Sequence, residues 1–98
     1  MDQPFHGTFE PSLLPKGGLT KPTLCVELAY PDRLEKAWLT QLVIQDEGSL
    51  PVHPGDKVEV VATIASDAFR REVAQRRGTL TVKHGPHVVG SLVITPVG

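Results

Sequence analysis

The sequence predicts a mainly β fold: a small antiparallel barrel of Greek-key type, closed or partly open, with about six strands and one short helix. Three observations carry this. Apolar and polar residues alternate in several short runs, most clearly over 57–64. There Val58, Val60, Ala62 and Ile64 form one face of a strand and Lys57, Glu59, Val61 and Thr63 the other. Nine Gly and nine Pro in 98 residues break the chain at short intervals, which suits strands joined by turns and argues against a helical bundle. Apolar residues make up 40% of the chain, enough for one core at this length and not for two, so residues 1–98 are read as one domain.

Each element follows in order. Residues 1–22 hold four Pro and three Gly around Phe5, Phe9, Leu13 and Leu14, with no clean period, so this segment is read as irregular with a short strand around 7–9. From 23 the pattern sharpens: Leu24, Val26, Leu28 and Tyr30 alternate with Cys25, Glu27 and Ala29 in a half-buried strand that Pro31-Asp32 stops. Residues 34–45 fit two templates. Leu34, Trp38 and Leu42 have helical spacing, whereas Leu39, Leu42, Val43 and Ile44 suit a buried strand, and a strand over 38–45 is favoured.

Asp46-Glu47-Gly48-Ser49 and Pro54-Gly55-Asp56 read as turns, the second aiming the chain into the strand over 57–64. Ser66 is placed to cap a helix of about three turns in which Phe69 and Val73 share a face. Gly78 ends that helix. Strands over 79–83 and 88–95, joined through His84-Gly85-Pro86-His87, form a closing hairpin.

Charge narrows the partners. Ten basic residues stand against eleven acidic ones, so no global field draws nucleic acid or an anionic membrane, and such a partner would need a local patch. No apolar stretch approaches the ~18 residues of a membrane helix, and the first residues lack a basic segment followed by an apolar run. Cys25 is the only cysteine, which excludes an intramolecular disulfide and suits a reducing compartment, so a cytoplasmic location is expected. The apolar C-terminal strand with Val88, Val89, Leu92, Val93 and Ile94 would invite self-association at a sheet edge, a demand that barrel closure removes.

Two segments carry a resemblance to a known family. His53-Pro54-Gly55-Asp56-Lys57-Val58-Glu59-Val60 is similar to the proline-glycine-aspartate turn and following strand in the C-terminal barrel of elongation factor Tu-type translation GTPases. Gly78-Thr79-Leu80-Thr81-Val82-Lys83-His84-Gly85 and Val88-Val89-Gly90-Ser91-Leu92-Val93-Ile94 resemble that barrel's closing hairpin. The likeness covers roughly residues 50–98, and the family's aromatic and arginine-rich middle segment has no counterpart here. It implies a barrel without its GTPase domain. In the family this barrel packs on the GTPase domain and shares contacts to aminoacyl-tRNA and the exchange factor, but no tRNA-binding residue carries over. Lys16-Gly17-Gly18-Leu19-Thr20-Lys21 lacks the spacing and order of a phosphate-binding loop, so nucleotide hydrolysis is not expected.

No constellation announces catalysis. Cys25 lies mid-strand without a base nearby and is read as a buried or half-buried structural thiol. His84 and His87 flank a turn, but zinc asks for three or four ligands, so they are read as solvated. His53 beside Asp56 suits a hydrogen bond within its turn; His6 has no context; and Asp46 and Glu47, adjacent in a turn, diverge. No cofactor or metal is expected, and the chain is read as a non-enzyme. Trp38 and Tyr30 are few and far apart, with no sign of an aromatic platform for bases. The feature that stands out is Arg70, Arg71, Arg76 and Arg77, four cations within eight positions. On a helix they spread around the axis and suit a solvated face near the C-terminus, or a contact patch for a protein or for RNA. The expected function is a non-catalytic protein-binding module, with an RNA-associated translation accessory as the alternative.

Overall fold

The computed structural model describes residues 4–14, 16–76 and 78–95. Six strands, β1 (Phe5–Pro11), β2 (Thr23–Ala29), β3 (Trp38–Ile44), β4 (Val58–Ile64), β5 (Thr79–His84) and β6 (His87–Ile94), form a closed antiparallel barrel. Their order around it is β1-β4-β3-β2-β5-β6. β2, β3 and β4 run as a meander, and β1 lies beside β4 rather than beside β2, which is the Greek-key connection expected from the sequence. A helix, α1 (Asp67–Arg76), joins β4 to β5, and a 3-10 turn (Glu47–Ser49) follows β3.

Period two explains the core. Val58, Val60, Ala62 and Ile64 of β4 are buried, as are Val26 and Leu28 of β2, Leu42 and Ile44 of β3, Leu80 and Val82 of β5, and Leu92 and Ile94 of β6. Filling a six-stranded barrel with such branched side chains leaves a packed interior rather than a channel. Residues 38–44 are strand, as favoured, and 34–37 lie in the connection before it. β1 is longer than the strand expected around 7–9, and the closing hairpin turns on Gly85-Pro86 alone.

Cys25 differs from its reading. It has the opposite parity to Val26 and Leu28, pairs with Gln41 on the outer face of the barrel, and is exposed there. β6 is hydrogen-bonded to β1 on one side and β5 on the other, so its apolar run presents no open backbone edge.

Closure is tightest where β1 meets β6. A Cβ placed on Gly90 would lie 2.6 Å from the Glu10 carbonyl oxygen and 2.9 Å from Pro11 Cα, so a side chain there would push the two strands apart. The β5–β6 register also shifts beside it, from Val82↔Gly90 to Lys83↔Val88, which leaves Val89 as an extra residue and bends the strand. Gly90 thus serves close approach as well as the bend. Gly90→Ala is expected to lower stability by about 1–3 kcal/mol, the range for overpacking. Chemical denaturation measures this, and an unchanged midpoint would mean that β1 and β6 separate without strain.

Candidate functional site

One end of the barrel gathers the features absent from its walls. β2 ends there, β3 begins there, and β4 leaves there into α1, so residues 30–37 and α1 are neighbours. The helix begins as the sequence predicts: Ser66 Oγ accepts a hydrogen bond from the Phe69 amide (3.2 Å), with Asp67 in the first turn and Arg76 in the last, each favoured by the helix dipole. Phe69, Glu72, Val73 and Arg76 recur at the spacing of one helix face. Phe69 and Val73 from that face are buried in the common core.

The loop over 30–37 is shaped by two successive turns, with the Arg33 amide donating to the Tyr30 carbonyl (2.9 Å) and the Lys36 amide to the Arg33 carbonyl (3.1 Å). Two side chains then tie it down. Lys83 Nζ donates to the Leu34 carbonyl (2.9 Å), and Arg33 Nη2 pairs with Glu72 Oε1 of α1 (3.1 Å). Both members of that ion pair are partly solvated, so it contributes about 0.2–1 kcal/mol and chiefly sets orientation.

Strand parity places the aromatic residues. Tyr30 continues the inward face of Val26 and Leu28 one step past the end of β2, and Trp38 begins the inward face of Thr40 and Leu42 on β3. Leu28 pairs with Trp38, so Tyr30 and Trp38 rise from the same rim. Phe69 packs against both, edge-on to Tyr30 (ring centroids 5.7 Å) and stacked with Trp38 (5.6 Å, 25°). The platform unseen in the sequence is therefore assembled in space, because Phe69 bridges two residues eight positions apart.

A cleft of about 210 Å³ opens beside these rings, lined by Tyr30, Arg33, Lys36, Trp38, Ala68, Phe69 and Glu72. Tyr30 is 5% exposed, while Trp38 keeps 37% of its surface open. The Tyr30 hydroxyl is buried and has no hydrogen-bond partner among the described residues. Burial, and then the Glu72 carboxylate, push its pKa up, against the opposing pull of Arg76 and Arg33. The Arg76 guanidinium lies 3.9 Å over the Tyr30 ring, a cation–π contact.

The four arginines singled out in the sequence separate into different roles. Arg70 is structural: its side chain is 15% exposed, its Nη1 donates to the Ile64 carbonyl at 2.8 Å, and its guanidinium pairs with Asp67. Arg76 covers Tyr30, Arg71 is exposed, and Arg77 lies outside the described residues. The structure gives Arg70, Arg71 and Arg76 three different surroundings. It adds Arg33 and Lys36, which sequence reasoning missed. The available signal was that the only Tyr and the only Trp flank one connection. Elsewhere, the His53 amide donates to Asp56 Oδ2 (2.9 Å) within its turn, and His84 and His87 are the last, exposed pair of the hairpin. Among the described residues, no three His, Cys, Asp or Glu gather to hold a metal ion, and no helix is long and apolar enough to cross a membrane.

Two outcomes test this geometry. Arg70→Ala should cost about 1–3 kcal/mol, since it strips a nearly buried carbonyl of its donor, whereas Arg71→Ala should stay within about 0.5 kcal/mol. Equal effects in thermal melts would contradict the assignment. Tyr30 is the only tyrosine, so phenolate absorbance reports it alone. Its midpoint should lie above the usual value of about 10. Because the folded pKa is the higher one, the associated stability is intact below about pH 10 and is lost as pH rises through the folded value. Tyr30→Phe should remove that alkaline loss without lowering stability at neutral pH, and a clear drop there would show that the hydroxyl is satisfied.

A scan against protein-family models finds no match to this chain, and searches of curated proteins and of solved structures likewise find none.

Proposed function

We propose that this chain is a non-catalytic protein-binding module that docks through the α1 end of its barrel, and that the barrel is of the translation-factor kind. The observation that carries the docking role is the cleft between α1 and residues 30–37. A partly open Trp38 is held in place by the buried Phe69, and the exposed Lys36 lines the same cleft. Interfaces concentrate binding energy in aromatic and arginine side chains held rigid before the partner arrives, and this end has both.

Support for the translation-factor reading comes from where the similar segments fall. Pro54-Gly55 turns the chain into β4, and the second pair of segments is the β5–β6 hairpin of a closed antiparallel barrel. The non-catalytic reading is favoured by the cleft's own chemistry, since its carboxylate, Glu72, is engaged by Arg33 and burial disfavours ionisation of Tyr30.

A pull-down from native lysate separates the readings, using the wild type and the Trp38→Ala and Lys36→Glu variants. A specific protein captured by the wild type and lost with either variant is the expected result. Capture unaffected by both variants would place the docking surface elsewhere. RNA in the eluate that dissociates with salt and depends on Arg71 would favour the RNA-associated accessory instead.

A further inference from the structure

We infer that the cleft takes an acidic peptide segment of a partner protein. One large aromatic or aliphatic side chain would seat against Trp38 while a flanking carboxylate meets Lys36. This rests on the docking role proposed above and specifies the partner.

Size comes first. About 210 Å³ is smaller than the roughly 300–1,000 Å³ of pockets that enclose a drug-sized ligand, and it suits a single side chain presented by a longer segment. One face of Trp38 is taken by Phe69 and 37% of the residue's surface stays open, so an incoming apolar group extends an existing stack.

Charge sets the flanks. Of the three charged groups lining the cleft, Arg33 and Glu72 satisfy each other, which leaves the Lys36 ammonium uncompensated within the lining. The wider distribution agrees. Among the described residues, 30–37 and 65–76 contain five Arg and Lys against four Asp and Glu, while the remainder has four against six. The described residues are thus slightly positive at the cleft end and negative elsewhere, an asymmetry that favours an anionic partner there. Asp32 and Glu35, exposed on the same loop, are included in that balance.

Single-stranded RNA fits less well. It asks for successive rings with open faces and a cation for each phosphate. Here Tyr30 and Phe69 are buried, and Arg33, Arg70 and Arg76 are already engaged.

The test titrates the full chain with a short synthetic peptide of Asp and Glu residues around one Phe. Trp38, the only tryptophan, serves as the fluorescent reporter, and calorimetry is used for the variant that lacks it. Saturable binding is expected. Affinity should fall roughly tenfold when the peptide's Phe becomes Ser or when Trp38 becomes Ala, the size of effect typical of a central anchor. It should also fall with Lys36→Glu, and as salt rises from about 0.05 to about 0.5 M. Lys36 is exposed, so its variant keeps the fold and reports contact alone. Equal binding of the Phe and Ser peptides, equal binding of a Lys-rich peptide, or binding of oligouridylate in place of the acidic peptide would each overturn the inference. Absence of peptide binding alongside Trp38-dependent capture of a protein from lysate overturns the acidic-anchor inference and leaves the docking role standing; loss of both overturns both.

Discussion

Closure of the sheet through β1 is the constraint on which everything else rests. β1 is the only strand that pairs with both β4 and β6, through Phe5↔Ala62 to Phe9↔Val58 on one side and Gly7↔Ile94 to Pro11↔Gly90 on the other. It therefore converts a meander and a hairpin into a barrel without free edges. Two glycines make this approach feasible. A Cβ on Gly7 would sit 2.7 Å from the Val93 carbonyl oxygen, much as one on Gly90 would meet Glu10. Once closed, the barrel fixes which residues stand at each rim.

The candidate site is a consequence of that rim. Tyr30 and Trp38 keep the inward parity of their strands at the rim of the barrel, and α1 supplies Phe69 as their cover. Phe69 belongs both to the core and to the aromatic cluster. The site is thereby coupled to the hydrophobic core and is set before any partner arrives. Rigidity of this kind lowers the ordering entropy that binding must overcome. The charges follow the same division: Arg70 anchors α1 to the end of β4, Arg33 anchors the loop to α1, and Lys36 and Arg71 stay exposed.

Much of the fold was legible in the sequence because it depends on local patterns. Alternation located β2 and β4, Ser66 and Gly78 bracketed the helix, and Gly-Pro between His84 and His87 marked the hairpin turn. The extent of β1 was hidden because Pro4 and Pro11 bracket a strand that is held by pairing on both sides rather than by a strong pattern of its own. The site was harder to read. Helical spacing implied that the arginines spread around the axis but not what each one meets: Arg70 reaches the Ile64 carbonyl, Arg76 lies over Tyr30 and Arg71 is exposed. Tyr30 and Trp38 looked isolated because their common neighbour, Phe69, lies on the far side of β4 in the chain.

The central claim is that this protein meets its partner with the α1 end of the barrel. A photo-crosslinking amino acid placed at Leu34, on the loop bordering the cleft, tests it against the same group at Leu13, an exposed residue at the opposite end. In living cells the account predicts a discrete crosslinked protein from position 34 and none from position 13. A crosslink confined to position 13, or none at either position, would contradict it.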